Sequence, residues 1–299
     1  MITEELLDNL AFHGVEFKVD YPLSGACTFK IGGVCSLAAF PKTEQQLLTC
    51  LDILDNANVR VHICGKGSNT LFGEGRLDLA VVFTLGLDSV VFNGNRVSCG
   101  AGVGLVSLSA KACDKGLSGL EFASGIPGSI GGAIYMNAGA YGAAMENVVV
   151  ASRAYDREAR KIVTVADHGF GYRNSVYKQR KELVCIGVDI ELCNGDADSI
   201  RKKMRELSEQ RRSKQPLEYP SAGSYFKRPE GDFAGRLIET SGLKGASVGG
   251  ARVSEKHAGF IINADGASFD DVMRLEQMVS ERVLENTGVI LQREVEVVK

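Results

Sequence analysis

Gly65-Lys66-Gly67-Ser68-Asn69 follows directly on the strand-like run Val61-His62-Ile63-Cys64. Small residues just after a strand leave consecutive backbone N–H groups free to face an anion, as in a phosphate nest. The spacing is not that of the dinucleotide fingerprint G-x-G-x-x-G, nor that of a P-loop, because no G-K-[ST] follows a spaced glycine. Read alone, the stretch is either a phosphate site or an ordinary glycine-rich turn. A second stretch runs Gly125-Ile126-Pro127-Gly128-Ser129-Ile130-Gly131-Gly132 and continues through Asn137 to Gly142. Its small side chains fit a backbone wrapped around a large flat ligand, or tight packing between sheet and helix. Two such stretches in one region, without a Rossmann motif, point to a different kind of dinucleotide-binding fold.

The remaining polar candidates are bland when read one at a time. Arg173 in Gly171-Tyr172-Arg173-Asn174-Ser175 reads as a solvated loop residue, and Ser224 in Ala222-Gly223-Ser224 as a turn residue. Glu294, between Arg293 and Val295, reads as the polar face of an edge strand, and Arg201-Lys202-Lys203 as a solvated helix face. His257 reads as a hydrogen-bonded structural histidine. None of the four histidines stands at metal-ligand spacing with another or with a cysteine, so no zinc site is expected. The eight cysteines form no C-x-x-C pair, and several lie in apolar runs such as Val184-Cys185-Ile186. They are expected to be reduced, buried thiols of a cytosolic protein.

The elements that must position these residues are an α+β mixture. Thr43 and Gln46 form a capping box before a helix to Ala57 with the stripe Leu47, Leu51, Leu54. Strands are expected at 61–64, 79–84, 88–92 and 96–99, a helix over 105–115 ending at Gly116, then strands near 148–153, 160–164 and 183–192. From Asn194-Gly195-Asp196 the character changes, with helices at 198–213, 232–241 and 268–287 and a final strand over 289–298. Strands and helices without regular βαβ alternation favour α+β over a doubly wound sheet. The boundary is placed near residue 195: a ligand-binding region over 1–194, with its core from about residue 28, and a smaller domain over 195–299. At 299 residues, 44% hydrophobic, 24% charged and net −3, the chain is expected to form two or three domains, with ample material for their cores and no basic bias towards nucleic acid or an anionic membrane. No apolar run nears the roughly 20 residues of a membrane helix, and MITEELLDNL lacks the features of a secretory peptide.

Taken together, G-x-G-S-N and G-I-P-G-S-I-G-G-A resemble the FAD-binding domain of the vanillyl-alcohol-oxidase (PCMH) type. With Gly171–Ser175, Ala222-Gly223-Ser224-Tyr225-Phe226-Lys227-Arg228-Pro229 and Leu291-Gln292-Arg293-Glu294-Val295, the chain from about Thr28 onward resembles the UDP-N-acetylenolpyruvoylglucosamine reductase family. The resemblance implies FAD bound by Gly65, Lys66, Gly67, Ser68 and Asn69, by Gly125, Ile126, Pro127, Gly128 and Ser129, and by Gly132 and Asn137. It implies Arg173, Ser224 and Glu294 as catalytic residues, and Tyr172, Lys214 and Arg228 against the substrate. It further implies NADPH as reductant, a UDP-sugar as substrate, a substrate-binding C-terminal domain whose last strand returns to the active site, and a cytoplasmic location. Between the G-Y-R and A-G-S motifs the interval is short, so the chain resembles the subclass without an extra tyrosine-bearing loop. Arg228 stands where some members carry asparagine.

The implied chemistry suits these residue types. Hydride from flavin N5 to an enol ether conjugated with a carboxylate generates an enolate, and an always-protonated guanidinium is its natural partner. The adjacent carbon then takes a proton from a positioned acid, here Ser224. Glu294, as donor or orienting group, needs a raised pKa to hold its proton near neutrality. Two alternatives stay open: an FAD-dependent oxidase or dehydrogenase of an alcohol or lactone on the same fold, or a non-catalytic flavin or nucleotide-sugar binding module.

Overall fold

Thr43 caps the helix Glu44–Asn56 in the computed structural model, which describes residues 2–299; its Oγ1 accepts from Gln46 N at 3.1 Å. Only half of the expected capping box forms. Gln46 Oε1 accepts from Lys42 N and its Nε2 donates to Gly14 O, both at 2.8 Å, so the side chain ties down the preceding segment instead.

The chain divides into two compact units, each discontinuous in sequence. The first comprises Met1–Asp20, Ser36–Lys66 and Asp78–Gln210; the second comprises Tyr21–Cys35, Gly67–Leu77 and Arg211–Lys299. On the C-terminal side the division falls between Gln210 and Arg211, within the helix Ala197–Lys214, which begins two residues after Gly195. Two sheets lie mainly in the first unit. One runs, edge to edge, Glu16–Pro22, Val34–Phe40, Arg76–Phe83, Val61–Cys64, with Ile63 parallel and opposite to Val82. The other runs Lys161–Val165, Val149–Asp156, Leu183–Glu191, Arg96–Gly100, Val90–Asn93, every pairing antiparallel. Leu47, Leu51 and Leu54 of the capped helix are fully buried with Leu37, Val82 and Ile186, so the stripe read from the sequence is a core face. A second core gathers Leu105 and Leu108 with Ile130, Ile134, Val188 and Ile190.

In the second unit Ser268 and Asp271 complete a reciprocal capping box on the helix Phe269–Thr287, and Gly288 closes it in the left-handed conformation at φ 72°. Val272, Leu275, Val279 and Val283 form its fully buried stripe, each contributing roughly 1.5–3 kcal/mol of apolar burial. A small antiparallel sheet, Ser247–Val248, Ala251–Val253, Ile261–Asn263, went unread in the sequence because each strand is three residues or fewer.

The strand expected over 289–298 is regular only over Glu296–Val298, which pairs parallel with Thr70–Phe72. The physical reason is a change of partner. Lys227 N donates to Gln292 O and Glu294 N to Tyr225 O, after which Glu296 N donates to Asn69 O. No single ladder covers the segment.

Candidate active site

The glycine-rich stretches of the first unit converge. The strand Val61–Cys64 delivers Gly65 so closely to Ser129 that a Cβ on Gly65 would lie 2.2 Å from Ser129 Oγ. Ser129 bridges Gly104, and Ile130 N donates to Val103 O at 2.8 Å, so the segment after Pro127 lies along residues 101–105. The Lys66 ammonium rests over Gly104, where a Cβ would meet Nζ at 2.9 Å. Ser129 is 1% exposed and its hydroxyl has no hydrogen-bond partner. A buried hydroxyl left so costs about 1–3 kcal/mol. A hydroxyl reserved in this way, beside bare glycine backbone and an ammonium, fits the pyrophosphate of FAD, which would be held by Gly65, Lys66, Gly104 and Ser129.

The backbone around Gly67 also requires a glycine. At φ 59° a Cβ would meet Ala26 O at 2.5 Å within the second unit, so it serves a close backbone approach there. Asn69 donates from Nδ2 to Glu294 O at 3.2 Å. Asn137, 3% exposed, donates to Gly171 O and accepts from Glu146 N, both at 3.1 Å. Gly132 is exposed, and Gly125, Ile126, Gly128 and Ser68 are half-buried.

Asn137 thereby steadies the turn that carries Arg173. Gly171 and Asn174 exchange backbone hydrogen bonds at 3.2 and 3.1 Å, and Ser175 Oγ donates to Tyr135 O at 2.9 Å. Arg173 itself sits at φ 54°, a left-handed conformation that a non-glycine residue keeps only where its surroundings enforce it. Its guanidinium lies 5.0 Å from the Tyr172 ring, which is 55% exposed, and donates to Gly139 O at 3.4 Å. Below the turn lies a buried polar cluster: Ser152 Oγ meets His168 Nε2 at 2.7 Å and Tyr177 Oη at 2.6 Å. Burial pushes the His168 imidazole below its usual pKa, against the pull of Asp167.

In the second unit Ser224 and Glu294, both half-buried, stand on chain segments that pair directly. Phe226 bridges Arg293, and Tyr225 N donates to Gly259 O at 2.8 Å. Thr28 Oγ1 donates to Ser221 O at 2.7 Å, which fixes the start of the A-G-S segment. Lys214 is exposed in the last turn of its helix. Arg228 is exposed with its guanidinium 4.2 Å from the Phe233 ring. His257 accepts through Nδ1 from Gly259 N at 3.1 Å and packs edge-on against Phe260, a hydrogen-bonded structural histidine.

The cysteines are free thiols. Six are buried, Cys185 is half-buried, and Cys193, at a two-residue strand, is exposed, contrary to the expectation of burial. Burial raises the pKa of Cys50, Cys99 and Cys185 to about 12, which leaves them inert at neutral pH. Among the described residues no group of three or more His, Cys, Asp or Glu is placed to hold a metal, and no helix is long and apolar enough to cross a membrane.

Comparison with known proteins decides the family. A UDP-N-acetylenolpyruvoylglucosamine reductase from Caldicellulosiruptor bescii is 41% identical over 95% of this chain and 91% of its own length. The chain belongs to the UDP-N-acetylenolpyruvoylglucosamine reductase family. A reductase of the same name from Clostridium perfringens is 44% identical over 95% of the chain and 93% of its own. The model of the reductase C-terminal domain matches residues 215–298, and that of an FAD binding domain matches residues 35–165. The crystal structure of the Thermus caldophilus reductase superposes with a TM-score of 0.80 at 30% identity, over 95% of this chain and 99% of that one. The glucose dehydrogenase Phl p 4.0202 matches 64% of this chain and 44% of its own at a TM-score of 0.51 and 16% identity, which shows a shared fold alone. The α+β architecture with a PCMH-type FAD-binding domain follows.

Proposed function

We propose that this protein reduces the enolpyruvyl ether of UDP-N-acetylenolpyruvoylglucosamine to UDP-N-acetylmuramate, with FAD bound in the first unit and NADPH as reductant. What carries the reading is the chain-long likeness to reductases of one name, joined to a glycine cradle with a buried hydroxyl held in reserve. The oxidases and dehydrogenases of alcohols share only the flavin-binding fold and leave the A-G-S and last-strand motifs without a purpose. A silent binding module would have no use for them either.

Bound flavin supplies the hydride that the terminal enolpyruvyl carbon accepts. The chain's own groups do the rest. Arg173, held at a strained φ by its turn, is the permanent cation that we assign to stabilise the carboxylate-conjugated enolate. Ser224 hands its hydroxyl proton to the adjacent carbon, and Glu294, on the paired segment, orients that donor or restores its proton. Lys214 and Arg228 offer cations to the diphosphate or the carboxylate, and Tyr172 presents an exposed ring. NADPH and the UDP-sugar take turns in a ping-pong order. We place the reaction in the cytoplasm, in the supply of peptidoglycan precursors on which cell shape and division depend, and assign the chain to the subclass without the tyrosine loop.

The test is anaerobic. The purified protein is expected to be yellow, to bleach with NADPH and to regain colour with UDP-N-acetylenolpyruvoylglucosamine. Recovery of colour only with oxygen would turn the reading towards an oxidase.

A further inference from the structure

The helix Phe269–Thr287 carries, one residue beyond the buried Leu275, a carboxylate withdrawn from water: the Glu276 side chain keeps 16% of its accessible surface. A charge so covered is costly unless it is hydrogen-bonded and paired. Glu276 has both kinds of partner on one oxygen. Tyr225 Oη donates to Oε2 at 2.8 Å, and Arg293 Nη1 lies 3.4 Å from the same atom. Tyr225 directly follows Ser224, and Arg293 directly precedes Glu294. The two segments are also joined through the backbone, from Glu294 N to Tyr225 O at 2.8 Å and from Lys227 N to Gln292 O at 2.7 Å.

We propose that Glu276 is a positioning residue: its carboxylate clamps Tyr225 and Arg293 and thereby fixes where the Ser224 hydroxyl and the Glu294 carboxyl stand. The inference rests on the roles given above to Ser224 and Glu294. Backbone pairing sets the register of the two segments but leaves their tilt soft, and a misplacement of about 1 Å at a reacting group can cost ~100-fold in rate. One oxygen holding both neighbours makes the two segments move together. The Tyr225 phenol is suited to this task. Burial, with the charge of Glu276, pushes its pKa far up, so it stays a donor throughout the working pH range.

The experiment uses the flavin-loaded holoenzyme in anaerobic rapid mixing, with Glu276→Ala, Glu276→Gln, Tyr225→Phe and Ser224→Ala measured side by side. Bleaching by NADPH, flavin content, and affinity of the oxidised enzyme for the UDP-sugar (read from the flavin spectrum) are expected within about threefold of native in the Glu276 variants. The limiting rate of reoxidation by the UDP-sugar is expected to fall ~10- to 100-fold in Glu276→Ala. Glu276→Gln, which keeps an acceptor for Tyr225 Oη, recovers part of that loss. Reoxidation of Glu276→Ala within about twofold of native overturns the clamp, as do equal losses in both half-reactions. Where Glu276→Ala fails to keep its flavin, Tyr225→Phe, which removes one hydroxyl, decides by the same criteria. Native reoxidation in Ser224→Ala would instead overturn the role on which the clamp rests. A slow Ser224→Ala with fast Glu276 variants overturns the clamp alone.

Discussion

Replacing Ser129 by alanine tests the flavin cradle through two effects of opposite sign. The hydroxyl is 1% exposed and has no partner, so in the flavin-free fold it imposes the penalty of an unsatisfied buried polar group, about 1–3 kcal/mol. Alanine removes the hydroxyl and leaves the backbone bonds of residue 129, such as Ala133 N to Ser129 O at 2.8 Å, intact. Flavin-free Ser129→Ala is therefore expected to be more stable than the native apoprotein by about 1 kcal/mol, with the volume lost on removing the oxygen offsetting some of the gain. The flavin complex should weaken, because a hydroxyl donating to a phosphate oxygen is worth about 1.5–3 kcal/mol. At 1.4 kcal/mol per decade that is a ~10- to 150-fold rise in the dissociation constant for FAD. Denaturant unfolding of the apoprotein and titration of flavin fluorescence read the two quantities separately. Unchanged FAD affinity, or an apoprotein destabilised by the substitution, would refute the assignment of that hydroxyl to the cofactor. Gly67→Val is the poorer probe. A side chain there strikes Ala26 and Cys27 of its own unit, so loss of flavin would report misfolding rather than a lost phosphate contact.

Ser224→Ala should leave NADPH bleaching near native and slow reoxidation by the UDP-sugar at least ~100-fold, the usual worth of a general acid; reoxidation within a few-fold of native in rapid mixing would remove Ser224 from that role. Arg173→Ala and Glu294→Gln should damage the same second half-reaction more than the first, because charge and proton arise only there, and equal losses would point to a damaged flavin site. Lys214→Ala should raise the half-saturating UDP-sugar concentration roughly tenfold, the worth of one charge-assisted contact of about 1.5 kcal/mol, and unchanged kinetics at limiting substrate would contradict the contact. For His168 the sign runs towards acid lability. Its folded-state pKa lies below the unfolded value of about 6.5, so as pH falls through that value the unfolded chain binds the proton first and stability drops. His168→Gln should flatten the stability profile between pH ~6.5 and the folded value relative to native, and identical slopes in denaturant titrations would show that His168 is not the group responsible.

Features that depend on neighbours within a turn or two were legible in the sequence. Thr43 before the first long helix, Ser268 with Asp271 before the last, and Gly116 and Gly288 after their helices all stand where the spacing put them. The Leu47-Leu51-Leu54 stripe became a core face for the same reason: helical periodicity is a property of the local chain. The motif residues and the family they belong to were equally readable, since glycine identity and motif order are sequence facts. What each motif residue does locally was not. The close approaches of Gly65 to Ser129 and of Gly67 to Ala26 exist only in the folded chain. The bond from the Asn69 amide to Glu294 O could not be read from the sequence, and Glu276 drew no notice because the segments it ties lie 51 and 17 residues away. Gln46 bonds Lys42 and Gly14 rather than closing its own box, and the last strand breaks where its partner changes from the segment around Tyr225 to Asn69. Caps and periodicity are decided by a few adjacent dihedrals. Partners brought together by loop closure are decided by which buried polar groups the whole fold must satisfy, and that accounting exists only once the chain has folded.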